Sequence, residues 1–199
     1  MRKILAFVVA SIIVSGCVSN PQRESRPVPA GYLYEGGYIN IKVPNSDGWH
    51  LVNSSPAGME FAKSGVEEKE SFGAQVLMFP LQETKNEDEF LSLIKSGFEA
   101  DTDPSRFNIN QLDFSYTEKR GYSCVKVVGE LEDKKALTSP GHRESLILQT
   151  NSLYCRHPVR TDTGFAIIYS HRGQSSYPNM SDEAKQFIAG VQVPNMQGK

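Results

Sequence analysis

The hydrophobic positions of this chain form one continuous run near its beginning and short, interrupted runs elsewhere. The continuous run extends from Ile4 to Val14 and follows two basic residues, Arg2 and Lys3. At about a dozen residues, the run is too short for a helix that crosses a hydrocarbon core of roughly 30 Å. Basic residues, a short apolar run and small residues after it are typical of an export signal that is removed from the mature protein.

The run ends in Val14-Ser15-Gly16-Cys17, which resembles the lipobox of bacterial lipoproteins. The resemblance implies that signal peptidase II removes residues 1–16 as a lipoprotein signal peptide. It also implies that the Cys17 thiol carries a diacylglycerol lipid, which would anchor the protein to a membrane in the cell envelope. Because position 18 is Val and not Asp, the resemblance further implies the outer membrane, facing the periplasm. The alternatives are an ordinary cleaved signal and a buried helix with an incidental cysteine.

A polar segment with three prolines and no apolar periodicity follows the signal. We predict that residues 17–37 are a flexible tether and that residues 38–199 form a single globular domain. Some twenty residues at about 3.3 Å each would let the domain reach roughly 60 Å from the membrane.

From Tyr38 onward, short apolar or alternating runs are separated by turn residues, which predicts strands. The predicted strands are Tyr38–Val43, Trp49–Val52, Met59–Ala62, Ala74–Phe79, Phe107–Tyr116, Tyr122–Leu131, Glu144–Arg156 and Phe165–Arg172. The strand at 165–172 is apolar on both sides, so we expect it at the centre of the sheet. In the strand at 107–116 the apolar positions change phase, which predicts a bulge near Asn110.

Two segments carry the apolar spacing of amphipathic helices. Asn86 can cap the first helix, Glu89 stands three residues later as in a capping box, and the helix ends near Asp101. The second helix is predicted to begin with Ser181 as its cap and to continue to Val191.

These elements predict an α+β domain with a largely antiparallel sheet of about six to eight strands, covered by the two helices. Their order resembles the PsbP-like fold, which is also found in small bacterial envelope lipoproteins of the DcrB type. The resemblance covers roughly residues 38–193 and is one of topology, so it implies no functional residue.

Composition excludes several classes of function. The chain has 199 residues, with 21 basic and 23 acidic side chains and a mean hydropathy of −0.39. Removal of Arg2 and Lys3 with the signal would leave 19 basic residues, hence a net charge of about −4. No basic stripe is present, so nucleic acid is not an expected partner. No second segment is apolar enough to enter a membrane.

If Cys17 carries lipid, Cys124 and Cys155 remain as a pair in an oxidising compartment, which predicts a disulfide. Closing a loop of about 30 residues would stabilise the fold by roughly 3 to 4 kcal/mol. Symmetric pairing about the loop between Leu131 and Glu144 would place Cys124 opposite Asn151. For Cys124 to meet Cys155 instead, the pairing would need a bulge or an asymmetric loop, or the two strands would not be adjacent.

Four basic or titratable residues lie at the ends of two predicted strands: Arg156, His157, His171 and Arg172. If the two strands were antiparallel neighbours, we expected these side chains to meet at one end of the sheet and to attract a carboxylate or phosphate. The alternative is that they are solvated or paired with nearby acids.

Other chemistry has weaker support in the sequence. Cys155 and His157 could join Cys124 and His171 in a zinc site, but the spacing is not a recurrent zinc spacing, and a disulfide would remove the thiolates. No nucleophile, metalloprotease, phosphate-loop or dinucleotide motif is present, so the sequence indicates no catalytic residue, metal or cofactor. Trp49 is expected to be a core or rim residue.

These observations favour a non-enzymatic, lipid-anchored envelope protein that acts as an interaction or accessory domain for another envelope protein. The alternative function is binding of a small molecule or anion through the cluster of Arg156, His157, His171 and Arg172. An enzyme that uses the same residues ranks third.

Overall fold

The computed structural model of the protein describes residues 25–194. The predicted signal peptide and the predicted lipidation at Cys17 lie outside the described residues. The first half of the fold contains β1 (Arg26–Pro27), β2 (Leu33–Tyr34), β3 (Asn40–Lys42), β4 (His50–Ser55), β5 (Gly58–Ser64), β6 (Ser71–Pro80) and α1 (Glu87–Asp101). The second half contains β7 (Phe107–Thr117), β8 (Cys124–Ser139), β9 (His142–Arg156), β10 (Thr163–Gly173), α2 (Met180–Gly190) and β11 (Val191–Gln192).

Eight of the strands form one antiparallel sheet in the order β1-β4-β5-β6-β10-β9-β8-β7. A smaller sheet has the order β11-β3-β2. The structure confirms the predicted α+β class and the predicted antiparallel sheet. It also confirms that the strand over 165–172, now β10, is central, since it lies between β6 and β9.

Alternation along the central strand gives the large sheet two different faces. Phe165, Ile167 and Tyr169 point towards α2 and belong to a buried core that includes Trp49 and Phe187. Trp49 was expected to be either a core or a rim residue, and the structure shows that it is a core residue.

The opposite face of the sheet carries a second core beneath α1. Phe90 and Ile94 of the helix pack there against Val125 and Val127 of β8. The predicted bulge is confirmed, because the register between β7 and β8 shifts around Asn110. Leu112 and Phe114 after the bulge pack in this core, and Phe107 before it lines the space beneath α1, so the bulge restores a common face for these residues.

The two helix starts differ. Asn86 caps α1 as predicted, and its side chain accepts a hydrogen bond of 2.9 Å from the Glu89 backbone N–H. The prediction of Ser181 as the cap of α2 is wrong, since the helix begins at Met180 and its N-cap is Asn179. The Asn179 side chain makes no capping hydrogen bond.

The predicted polar loop between residues 131 and 144 is instead a continuation of both strands. β8 extends to Ser139, β9 begins at His142, and Gly141 adopts the positive φ of 77° that the tight turn requires. Asp133 and Ala136 are both fully buried although they are three residues apart, because the register shifts between them. Two register shifts in this hairpin place Cys124 directly opposite Cys155, which removes the expected offset.

The domain also begins earlier than predicted. Residues 26–27 form β1, which pairs with β4, and residues 33–34 form β2, which pairs with β3. Val28 is buried in the core. Proline is tolerated in an edge strand such as β1, so the prolines did not mark the whole segment as tether. Only eight residues separate Cys17 from β1, a reach of about 30 Å at most.

Within residues 25–194, neither helix has the length and apolar character needed to cross a membrane.

Candidate functional site

A cavity of about 150 Å³ lies between α1 and the sheet. Helix α1 forms its roof, and β8, β9 and β10 form its floor. Most of the lining side chains are apolar, and a minority are hydroxyl-bearing or charged. The lining residues are Phe79, Leu93, Ile94, Gly97, Phe98, Asp101, Thr102, Phe107, Leu131, Leu148, Thr150, Ser152, Tyr154, Ile168, Ser170 and Arg172.

Small side chains in the floor help to leave this space open. Thr150 of β9 pairs with Ser170 of β10, and both residues line the cavity. Gly97 lines the cavity from the roof. Because protein interiors are otherwise close-packed, small residues on facing elements leave space between the helix and the sheet.

Hydroxyl groups give the floor a polar character. Thr150 Oγ1 and Ser152 Oγ lie 2.9 Å apart and share a hydrogen bond. Burial raises the pKa of the Tyr154 phenol, and the negative charge of Asp101 raises it further. Tyr154 therefore stays neutral and presents an O–H group to the cavity.

A buried cluster of charges lies at one end of the cavity. Asp133 Oδ1 and Oδ2 accept hydrogen bonds of 2.8 and 2.7 Å from Arg106 Nε and Nη2. Arg172 Nη2 lies 3.1 Å from the same Oδ2. The Asp133 side chain is fully buried, and the arginine side chains are 13% and 11% exposed for Arg106 and Arg172. Of the three residues, Arg172 also lines the cavity.

The two arginines hold Asp133 in its charged form. Burial alone would raise the pKa of Asp133, but the hydrogen bond from Arg106 and the charges of both arginines hold it below its ordinary value. Asp133 is therefore a carboxylate, and two guanidinium groups share it. Burial lowers the pKa of Arg172, Asp133 opposes that change, and Arg106 adds to it by repulsion.

The structure does not bring the predicted basic cluster together, so that prediction is wrong. β9 and β10 are antiparallel, but Arg156 pairs with Gly164 whereas Arg172 pairs with Leu148. Eight residues of β10 separate the two positions, about 27 Å along the strand. Arg156 and His157 lie at one end of the sheet, and His171 and Arg172 lie at the other. The short connection between the strands explains the error, because it joins the end of β9 to the beginning of β10.

At the first end, both residues support local structure. Arg156 donates hydrogen bonds of 3.0 Å to the Gln82 carbonyl and to Thr84 Oγ1. His157 is buried, and its Nδ1 accepts hydrogen bonds of 3.2 Å from the backbone N–H groups of Val159 and Arg160. His157 therefore supports the β9–β10 connection, and Arg156 binds the segment before α1. Neither residue lines the cavity beneath α1.

At the second end, neighbouring residues of β10 point to opposite faces. His171 lies in the α2-side core, with its Nε2 3.0 Å from Glu70 Oε1 and its ring 5.0 Å from the Phe72 ring. Arg172 faces the cavity. The two side chains therefore do not form one anion site.

Cys124 and Cys155 form a disulfide, which confirms the predicted pairing. Their Cα atoms are 4.1 Å apart, and both residues are fully buried. The zinc alternative is excluded, because both thiols are consumed in this bond. Across residues 25–194, no three His, Cys, Asp or Glu side chains are grouped as a metal site would require.

Sequence reasoning found Arg172 but missed Asp133, Arg106 and the small residues of the floor. Asp133 lies in a charged run that resembles a solvated loop, so its burial has no simple sequence signal. The floor did have a signal. Thr150 and Ser152 share one face of β9 with Leu148 and Tyr154, at positions where a filled core would carry larger side chains.

No protein-family model and no curated protein matches this chain. The structure itself defines the class: an α+β domain whose antiparallel sheet is filled on one face and holds a mostly apolar cavity, with a buried ion-pair cluster at one end, on the other.

Proposed function

We propose that this protein is a non-enzymatic, lipid-anchored envelope protein that binds a small, largely apolar molecule in the cavity beneath α1. The observation that carries the proposal is the cavity itself, with apolar walls and a few convergent polar groups. That combination is the usual composition of a small-molecule site. A cavity of about 150 Å³ lined by apolar side chains can hold a molecule the size of benzene.

The proposed location follows from the sequence. Acylation of Cys17 would hold the mature chain at a membrane, with the outer membrane and its periplasmic face as the proposed site. Because eight residues join Cys17 to β1, the cavity would stay within a few nanometres of the lipid surface. Incorporation of labelled palmitate that is lost in Cys17→Ser would support the anchor. A wild-type protein without lipid at Cys17 would refute it.

We also propose that the domain has the PsbP-like fold. Support comes from the element order, in which early hairpins precede α1, a meander of long strands follows, and α2 comes after the meander, before the two-residue strand β11. This likeness concerns topology and says nothing about the ligand.

The binding proposal can be tested by filling the cavity. The chain from position 17 onward, with Cys17→Ser to prevent acylation, contains all of residues 25–194 and can be ¹⁵N-labelled. Benzyl alcohol serves as a neutral probe. We expect saturable shifts in amide resonances of the lining residues, and we expect Ser170→Leu to weaken binding at least tenfold, because the leucine occupies the floor of the cavity.

Ser115→Leu is the matched control. Ser115 is an exposed strand residue in β7, so the same change there leaves the cavity open and should leave the affinity unchanged. Equal affinity in the wild type and Ser170→Leu, or shifts spread over the surface, would contradict the proposal.

A second function, docking of another envelope protein, is favoured by β7. This strand of 11 residues is at the edge of the large sheet, and Ile109 within it is 50% exposed. Edge strands can pair with a strand from a partner. A photo-crosslinking residue at position 109 should give one defined product in intact envelopes, and the same residue at the fully exposed position 66 should not. Equal products from both positions would argue against this function.

A further inference from the structure

We propose that one end of the domain lies directly against the lipid surface to which Cys17 would anchor it. Two loops form that end, residues 35–39 between β2 and β3 and residues 157–162 between β9 and β10, and we call them the paired loops. This inference rests on the lipid anchor of the proposed function, because it states how the anchored domain is oriented. It is carried by two exposed apolar side chains that the paired loops hold in fixed positions.

The two exposed side chains belong to Val159 and Tyr38. Val159 is 66% exposed, and Tyr38 is 50% exposed. Arg160 follows Val159, and its guanidinium group lies 4.6 Å from the centre of the Tyr38 ring, so one residue joins the two. A tyrosine, an aliphatic side chain and an arginine with a long apolar stem are groups that favour the boundary between lipid headgroups and acyl chains.

His157 joins the two loops and orders their backbone. Its Nδ1 accepts hydrogen bonds of 3.2 Å from the backbone N–H groups of Val159 and Arg160. Its Nε2 faces the Tyr38 carbonyl oxygen at 3.4 Å, as a donor, since Nδ1 is the acceptor. The disulfide at Cys155 lies two residues earlier on the same strand. A surface that is already ordered loses little conformational entropy when it meets a partner, so these side chains are suited to a flat lipid surface.

The chain enters the large sheet from the end that carries the paired loops. Traced through β4, β5 and β6, Arg26 lies level with Tyr169 of β10, and Pro27 lies one residue farther along β10. β10 begins at Thr163, beside the paired loops, so β1 runs away from their end of the sheet. Tyr169 and Thr163 are six residues apart, about 20 Å along the strand. The eight residues between Cys17 and β1 can span about 30 Å, which is enough to bring a membrane against the paired loops.

The charges at this end set no requirement for anionic lipid. Glu35 and Asp162 are exposed acids of the paired loops, and Arg160 and Arg156, the last residue of β9, are the neighbouring bases. These two negative and two positive charges balance. Arg160 can still bind a phosphate, and zwitterionic phospholipids carry one as anionic phospholipids do. We therefore expect the contact to depend on Tyr38 and Val159 and not on the net charge of the membrane.

The test places tryptophan reporters on the paired loops and away from them. The chain from position 17 onward is coupled through the Cys17 thiol to a maleimide phospholipid in phosphatidylcholine vesicles, while Cys124 and Cys155 are held in their disulfide. The vesicles contain lipids brominated close to the headgroup, which quench the fluorescence of a tryptophan that touches them. Trp49 is the single tryptophan of the chain and is buried, so the wild type gives the background.

Two matched pairs of substitutions report on position. Val159→Trp is compared with Val66→Trp, because Val66 is fully exposed in the loop before β6, at the opposite end of the sheet. Tyr38→Trp is compared with Tyr32→Trp, because both tyrosines are 50% exposed and lie at the two ends of β2. We expect about fivefold more quenching at positions 159 and 38 than at their controls, the population shift that partial burial of one such side chain provides.

A second substitution tests whether the two side chains act together. In the Tyr38→Trp reporter, Val159→Asp should lower the quenching about fivefold, because a carboxylate loses hydration at the lipid boundary. Val66→Asp is the control and should leave the quenching unchanged. Phosphatidylglycerol in the vesicles should also leave it unchanged, and a contact that forms only with this anionic lipid would contradict the inference.

The outcomes separate this inference from the proposed anchor. Coupling through the maleimide lipid replaces acylation in the cell, so the reporters test orientation alone. If Val159→Trp is quenched no more than Val66→Trp, the paired loops do not face lipid, and the anchor and the cavity function stand. If the palmitate experiment finds no lipid at Cys17, the anchor fails whatever the reporters show.

Discussion

The two faces of the large sheet are built from alternate residues of the same strands, yet one face is filled and the other is not. In β10, Tyr169 packs towards α2 and donates a hydrogen bond to Glu183, whereas its neighbour Ser170 lines the cavity. On the α2 side, aromatic side chains from several strands fill the space. On the α1 side, Thr150, Ser170 and Gly97 line a cavity. The difference indicates that the α2 side supplies more of the packing that stabilises the fold, and the proposed ligand would occupy the α1 side.

The largest expected effect comes from matched truncations of one phenylalanine on each helix. Phe187 of α2 is 1% exposed in the filled core, so Phe187→Ala should lower the free energy of unfolding by about 3 to 5 kcal/mol. Phe98 of α1 lines the cavity and is only partly buried, so Phe98→Ala should cost about half as much or less. Urea denaturation of both variants measures the difference. Equal losses would mean that the α1 face is as tightly packed as the α2 face.

The disulfide should be the next largest contribution, and it belongs to the filled side. Cys124 and Cys155 are fully buried in the same core as Trp49, and their bond closes a loop with a sequence separation of 31 residues. Loop closure predicts that Cys124→Ala with Cys155→Ala lowers the free energy of unfolding by about 3 to 4 kcal/mol. Denaturation with and without a reductant checks this value. A wild type that loses no stability on reduction would show that pairing of β8 with β9 alone fixes the hairpin.

How far the sequence predicts this molecule also differs between the two faces. Apolar alternation located the strands, the bulge near Asn110, the cap at Asn86 and the core position of Trp49, because each of these features depends on local pattern. The cavity depends on which residues lie side by side on neighbouring strands, as Thr150 and Ser170 do. Which residues face one another is set by the register of the strands. The register of β8 with β9 depends on the turn at Gly141, and the charged residues before that turn resemble those of a loop.

Basic residues were misassigned for the same reason. His171 and Arg172 are adjacent in sequence but face opposite sides of the sheet, so sequence proximity did not imply a shared site. Asp133, the partner of Arg172, lies on a different strand and in a run of charges. A buried ion pair between distant segments has no periodic signature, so only the folded structure could reveal it.

A smaller effect is a pH dependence on the filled side. Burial lowers the pKa of His171, although its contact with Glu70 partly offsets that change and Glu183 adds to the offset. The folded state therefore binds the proton less readily than the unfolded chain. Stability should fall as the pH drops below about 6.5, the ordinary value for histidine.

His171→Gln removes this proton while keeping a donor that can reach Glu70. Between pH 7.5 and pH 5.5 we expect the wild type to lose about 2 to 4 °C in Tm, the change that 1 kcal/mol makes in a domain of this size, and the variant to lose less. His142→Gln is the control, because His142 is exposed and should leave the slope unchanged. A slope that is the same in wild type and His171→Gln would contradict the role of His171.

The smallest effect distinguishes the two helices themselves. Asn86 accepts a capping hydrogen bond at the start of α1, whereas Asn179 makes none at the start of α2. Loss of a side-chain cap typically costs about 1 kcal/mol, so Asn86→Ala should lower stability by that amount and Asn179→Ala by a few tenths. Helix α1 lies over a cavity and therefore has less packing beneath it than α2. We expect the side-chain cap at Asn86 to contribute more to the order of the first turn of α1 than Asn179 does to that of α2. Amide hydrogen exchange should therefore speed up in the first turn of α1 in Asn86→Ala and stay unchanged in α2. A uniform change in both helices would show that the cap acts on global stability alone.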